Sequence, residues 1–349
     1  MSGGTSGAQR ANTERSDADF VAALEAANLH PLWDRFRKIT PVRPQAKDPP
    51  FVWRWQDIAP FAERAASEVP IDDIERRALI LVNPAFGGDT VTTNNLIGAF
   101  TVLDPGDHAR PHRHTFAAIR FATNAEGAAS IVNGRRCVMH DGDLILTPPM
   151  CWHGHINESA RRTVWFDAAN IPLIRTLDAN FFEPGDPKVN DFWQVDEGAE
   201  KLWAEPGLVG ADLERAAAHS PKYRYAGDAT RRMLSAVAPG ADGARTVRYV
   251  NPSTGDAVMP ALDCYAVRLA KGEVTRPKRS TCNTICLVVS GAGRSTIGEH
   301  SFAWSQHDVF TIPHWTFASH VAEGGDADLF VVSDKVAIEA LGLLREELQ

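Results

Sequence analysis

His112 and His114 stand two apart in the run GDHARPHRHT, and His153 lies 39 residues beyond His114, just after the Pro148-Pro149 turn. On an extended strand an i, i+2 pair points both side chains to one face. Neutral imidazoles are good ligands for Fe, Zn, Cu and Ni. Three of them meeting on one ion leave positions open for a substrate and for a small molecule such as oxygen. A lone H-x-H is more often a pair of core or surface histidines, so the case rests on the third residue and its spacing. Strand parity puts Arg120 on the face of His112 and His114, and its planar, permanently charged fork suits a carboxylate. The competing reading is a solvated arginine on the outside of the sheet.

Distant histidines converge only if a sheet closes on itself, and the chain around them is built for that. From residue 75 to 175 it reads as short strands (ALILVNP, NNLIGAFTVL, AAIRFAT, ASIVNG, RRCVMH, DLILTPP, TVWFDAA) separated by Gly, Pro, Asp and Asn. A second β-rich block spans 249–349 and ends in the helical run VAIEALGLLREEL. Before the first block, residues 18–74 read as a helical segment: one helix over 19–37 kinked at Pro31, and another over 56–68. Residues 1–17 are small and polar, a disordered tail, and 176–248 read as a linker with a helix at ADLERAAAHS. The blocks repeat each other. GDHARPHRHT aligns with GEVTRPKRST (272–281), Gly127 with Gly293, and, one deletion later, Pro148 with Pro313 and WHGH (152–155) with FASH (317–320). Such a repeat of strands and turns predicts two related β-barrels in tandem, in an all-β-dominated chain. In the second copy Lys278, Ser280 and Ala318 replace the three histidines, and only His320 remains, opposite His155. No metal is expected there, and the second barrel reads as structural.

The 349 residues carry a formal net charge of −8 with no basic block, which disfavours nucleic acid. No apolar run approaches a membrane span, and the N-terminus has no secretory h-region. The five cysteines are scattered and odd in number, as in reduced thiols of a cytoplasmic protein.

Gly106 followed by His112-x-His114 resembles the first cupin motif. Gly142, Pro148, His153 and Asn157 resemble the second. Many cupins place a glutamate ligand a few residues after the second histidine, but this chain has Thr115-Phe116-Ala117-Ala118-Ile119-Arg120. A site of three imidazoles without an anionic ligand suits a substrate that chelates through two oxygens. More specifically, ERRALILVNPAFGG, PHRHT-x4-RF, DGDLILTPPMCWHGHIN and VWFDAANIPL resemble the gentisate and salicylate 1,2-dioxygenases, bicupin enzymes, from about Glu75 to the end of the second barrel.

That resemblance implies Fe(II) on His112, His114 and His153. It implies O2 and an aromatic hydroxy acid as substrates, a homo-oligomer (usually a tetramer), and ring opening between the carboxyl- and hydroxyl-bearing carbons. By position, Arg120 matches a contact to the substrate carboxylate, Arg76 a second active-site arginine, His155 a histidine beside the iron, and Asp167 an acid of the same pocket. Without the resemblance, Asp167 reads as a strand-end turn and Arg76 as a surface charge. Where salicylate-cleaving members have Trp and Gln, this chain has Ile97 and Thr101. A smaller, less polar wall implies a different ring substituent, and a salicylate with an electron-withdrawing group, such as 5-nitrosalicylate, fits it. Gentisate and 1-hydroxy-2-naphthoate are the alternatives. The rival classes are a zinc or manganese cupin isomerase, which usually adds a carboxylate ligand, and a non-catalytic cupin that senses a small molecule.

Overall fold

The computed structural model describes residues 18–186, 201, 203 and 219–349. The expected tail over 1–17 lies outside the described residues, as does the helix at ADLERAAAHS up to Ala218. Residues up to 45 form one compact unit and residues 46–349 another. In the first unit the expected single helix is two, α1 (residues 18–26) and α2 (Leu32–Ile39). Asn28 adopts a left-handed φ of 57°, and Pro31 is extended ahead of α2. The chain therefore stops and restarts where one kinked helix was expected.

The second unit opens with β1 (Val52–Trp53) and α3 (Trp55–Glu68). The first β-rich block then supplies β2 (Ala78–Ile80), β3 (Ile97–Leu103), β4 (His108–His114), β5 (Ala118–Asn124), β6 (Ala128–Val132) and β7 (Arg135–Val138). It continues with β8 (Leu144–Thr147), β9 (His153–Asn157), β10 (Thr163–Ala169), the short helix α4 (Ile171–Thr176), β11 (Phe182–Pro184) and β12 (Arg224–Tyr225). These strands make two antiparallel sheets, one in the order β12-β8-β5-β10-β3-β2 and one in the order β11-β4-β9-β6-β7. Gly106 and Gly142 open the two histidine motifs with φ of 84° and 91°, turn conformations that L side chains rarely adopt. After α5 (Gly227–Ala236), the second block supplies β13 (Arg245–Arg248), β14 (Asp263–Leu269), β15 (Lys278–Ser280), β16 (Thr284–Ile297), β17 (His300–Ser305) and β18 (Val309–Ile312). It ends with β19 (Ala318–Ser333), α6 (Lys335–Ala340) and β20 (Glu346–Leu348). The expected closing helix over VAIEALGLLREEL is thus a short helix followed by a strand. The architecture is a bicupin, as the repeat predicts.

Four strands cross the boundaries expected from sequence, one of them β13, which lies in the stretch read as a linker and pairs with β14 of the second barrel. β11 and β12, from the stretch read as a linker, pair with β4 and β8 of the first barrel. β1, from the segment read as helical, pairs with β18 of the second. β1, β11 and β12 are two or three residues long, too short for an alternating pattern to announce them.

The central strands of the six-stranded sheet, β3, β5, β8 and β10, are buried along most of their length because both faces are covered. Phe100, Phe121, Phe166 and Leu144 enter one core cluster with Leu262, Ile285, Phe330 and Val332 of the second barrel, and Phe121 stacks on Phe330 at 4.2 Å. The alternate residues, Thr101, Arg120, Trp165 and Asp167, therefore turn the other way, into the first barrel. The packing of barrel on barrel thus fixes the side of the sheet on which the polar residues lie.

Candidate active site

His112 and His114 come from β4 and His153 from β9, with His112 directly opposite His153 in the ladder. All three are completely buried, and their ligand atoms all lie within 4.8 Å of one another. Each ring is held by its own backbone. Nδ1 of His112 lies 2.8 Å from the Arg110 carbonyl, Nδ1 of His114 2.7 Å from that of Phe116, and Nδ1 of His153 2.9 Å from that of Cys151. A carbonyl can only accept, so each Nδ1 carries the proton and each Nε2 presents a lone pair inward. The Nε2 atoms of His112 and His114 are buried without a hydrogen-bond partner, while that of His153 faces Arg76 Nη2 at 3.4 Å. Burial, then the charge of Arg76, holds His112 down to about 2 and His114 to about 3. Burial likewise takes His153 well below its ordinary value. Three neutral rings whose ligand atoms lie within 4.8 Å of one another, two of them with no partner at all, fit a metal ion. Among the described residues no other group of His, Cys, Asp or Glu converges in this way.

Arg120 reaches this cluster by a route that sequence parity did not anticipate. Residues 115–117 interrupt the strand, so the histidine pair sits on β4 and Arg120 on β5, in the opposite sheet. Arg120 points inward because its neighbours Ile119 and Phe121 are taken by the shared core. It is 1% exposed. Its Nη1 donates to Thr147 Oγ1 at 2.7 Å, and its Nε lies 3.5 Å from Asp167, close enough for charge pairing but without hydrogen-bond geometry. Nε and Nη2 are therefore buried donors without a partner. Burial lowers this guanidinium to about 9, still charged at neutral pH.

Asp167 lies opposite Arg120 on β10. It accepts from the Thr101 hydroxyl at 2.5 Å and from Trp165 Nε1 at 3.1 Å. Burial raises its carboxyl, and Arg120, Thr101 and Arg76 pull it back. Arg76 precedes β2 on irregular chain, with burial pressing its guanidinium down. His155, on the face of β9 that carries His153, is 1% exposed. Its Nδ1 lies 2.8 Å from Ser130 Oγ and its Nε2 has no partner. Thr101 is not the passive wall expected of it, since its hydroxyl is committed to Asp167. Ile97 lies on the same face of β3, opposite Ala169 at the sheet's far end, and no polar contact ties it to the cluster.

Sequence reasoning missed Trp165, Thr147 and Ser130. Ser130 had a signal in the repeat. In the second barrel Ser295 Oγ lies 2.7 Å from His320 Nδ1, and Ser295 pairs with His320 as Ser130 pairs with His155. The register also bears out the alignment of the metal positions, for Lys278 stands opposite Ala318 as His112 stands opposite His153.

Comparison with known proteins agrees with this geometry. A cupin domain model matches residues 99–169. A gentisate 1,2-dioxygenase of Streptomyces is 35% identical over 95% of this chain and 96% of its own length. A 5-aminosalicylate 1,2-dioxygenase of Comamonas is 33% identical over 93% of this chain and 88% of its own. The crystal structure of salicylate 1,2-dioxygenase from Pseudoaminobacter salicylatoxidans with gentisate superposes with a TM-score of 0.89 at 31% identity, covering 100% of this chain and 96% of that one. None of the described helices is long and apolar enough to cross a membrane. With relatives of this identity matched along nearly their whole length, the chain belongs to the gentisate and salicylate 1,2-dioxygenase family of ring-cleaving cupin enzymes.

Proposed function

We propose that the protein is an Fe(II) enzyme that opens a salicylate-type ring between the carboxyl- and hydroxyl-bearing carbons with O2, and that a substituted salicylate such as 5-nitrosalicylate is its substrate. The observation that carries this reading is the pairing of three inward lone pairs with a buried guanidinium whose Nε and Nη2 are unused. An ortho-hydroxy carboxylate fits both. A ferrous ion on His112, His114 and His153 would supply a Lewis acid for the substrate's two oxygens and a path by which the ring's electrons reach O2. Arg120 takes the carboxylate and so fixes the ring's orientation. Arg76 offers a second cation to the carboxylate or to another anionic substituent. Asp167 balances the two arginines, and His155 places a neutral imidazole beside the developing anion. Ile97 and Thr101 shape the wall that meets the ring substituent, which is what favours a salicylate with a small electron-withdrawing group.

Gentisate is the second reading, favoured by the relatives that carry that name at 30–35% identity. The test replaces His112 with alanine and measures iron content and oxygen uptake against gentisate, salicylate, 5-nitrosalicylate and 1-hydroxy-2-naphthoate. Loss of both metal and turnover is expected, and unchanged turnover overturns the reading. Preference for gentisate in the unaltered protein would replace only the substrate. A cytoplasmic homotetramer completes the proposal, its mass being open to light scattering.

A further inference from the structure

The second barrel lost its metal ligands without filling the space they occupied. Lys278, Ser280 and Ala318, the counterparts of His112, His114 and His153, all line a cavity of about 210 Å³, together with His320, the counterpart of His155. An apolar cavity of roughly 150 Å³ takes up benzene, so this one has room for a single ring with a small substituent. The polar pair that answers to Ser130 and His155 is also intact, with Ser295 Oγ at 2.7 Å from His320 Nδ1 and Trp304 Nε1 donating to the same hydroxyl at 2.8 Å.

The lining has a definite chemistry. Arg276, Lys278, Arg279 and Lys335 face it against two acids, Asp242 and Glu346. Glu346 is taken by Lys335 at 3.0 Å. Lys278, 52% exposed at the mouth, lies 3.9 Å from Asp242, too far for a hydrogen bond. Deeper in, Leu269, Leu329 and Val331 supply apolar wall. Burial keeps His320 down to about 4, so it meets a ligand as a neutral imidazole. Arg279 is held by Glu347, Arg276 by the Gln349 and Ala241 oxygens and Lys335 by Glu346. Lys278, with Asp242 only at 3.9 Å, is therefore the cation of this lining that can turn to a ligand, and its place at an apolar chamber of one-ring size fits an amphiphilic anion better than a bare inorganic one.

We infer that the metal-free second barrel is a binding site for a single-ring carboxylic acid, with the carboxylate on Lys278 and the ring among Leu269, Leu329, Val331 and His320. No redox step is involved, and the site does not depend on what the first barrel catalyses. The probe is benzoate, titrated by calorimetry into the metal-loaded full-length protein and into two variants. Ala318→Trp fills the chamber at a position that is 6% exposed. Lys278→Glu reverses the charge at an exposed one. Melting temperature and metal content establish that each variant is folded. In the unaltered protein benzoate binds, and both variants lose the same component of the isotherm, Lys278→Glu weakening it at least about tenfold. Isotherms of the folded variants that superimpose on the parent's, or an unaltered protein that binds no benzoate, overturn the inference. Should Ala318→Trp fail to fold, Lys278→Glu decides alone.

Discussion

Replacing Arg120 with methionine separates charge recognition from packing, because the environment of this side chain sets both magnitudes. Methionine keeps most of the volume and removes the guanidinium. A substrate carboxylate then loses two charge-assisted donors, Nε and Nη2, which make no hydrogen bond within the protein although Nε has Asp167 at 3.5 Å. Each such bond contributes about 1.5–3 kcal/mol, and part of the loss is shared with Arg76, so the pair accounts for about 3–4 kcal/mol. This corresponds to a fall in kcat/KM of roughly 150- to 900-fold. Stability behaves differently. The pocket holds two arginines and one aspartate, so removing Arg120 leaves Arg76 and Asp167 balanced. The folded state gives up chiefly the bond to Thr147, about 1 kcal/mol. Asp167→Asn is the mirror experiment. It leaves two buried guanidiniums with no acid and costs about 3–5 kcal/mol of stability. The assay is oxygen uptake over a substrate series, with urea unfolding of the same preparations and metal content as a control. A fall in kcat/KM below tenfold for Arg120→Met with metal retained, or equal destabilisation by the two variants, would refute the argument.

Three further outcomes follow from the same structure. Phe121→Ala, which deletes the ring stacked on Phe330 across the two barrels, costs about 3–5 kcal/mol in urea unfolding while kcat moves little in the folded fraction. Ser130→Ala removes the group at His155 Nδ1, so kcat falls with KM nearly constant and Ser130→Thr restores part of it; a change confined to KM would count against this positioning role. Asp48 is 5% exposed, and burial raises its carboxyl to about 6 from 3.8. The folded state then binds that proton more tightly than the unfolded chain, so its stability is greatest below about pH 4 and declines as pH rises to about 6. Asp48→Asn is therefore more stable than the parent by about 2–3 kcal/mol at pH 7.5 and equal to it at pH 4, an ordering that thermal melts at the two pH values check.

The features legible in the sequence are those in which chemistry and period coincide. His112, His114 and His153 were readable because metal binding demands a residue type, a face and a motif turn at once, and Gly106 and Gly142 mark those turns. The two barrels were readable because a duplicated core repeats its punctuation even where its chemistry has gone. Arg120 was found for an incomplete reason. Parity along one strand suggested its direction, but its orientation comes from Ile119 and Phe121 being drawn into a core shared with Phe330, and no local pattern encodes a partner roughly two hundred residues away. Trp165 escaped notice for another reason: its indole N–H looks like any buried tryptophan's until Asp167, two residues on, is known to accept it. Partners on other segments of the chain hid β1, β11 and β12, which are strands only because β18, β4 and β8 offer them an edge. The six-stranded sheet therefore links the two halves of the molecule. Its outer face holds the second barrel, and that packing turns Arg120, Asp167 and Thr101 toward the three histidines. The second barrel thus supports the first through a shared core, in which Phe121 and Phe330 are one contact among many and Ile119, the other neighbour of Arg120, is held as well.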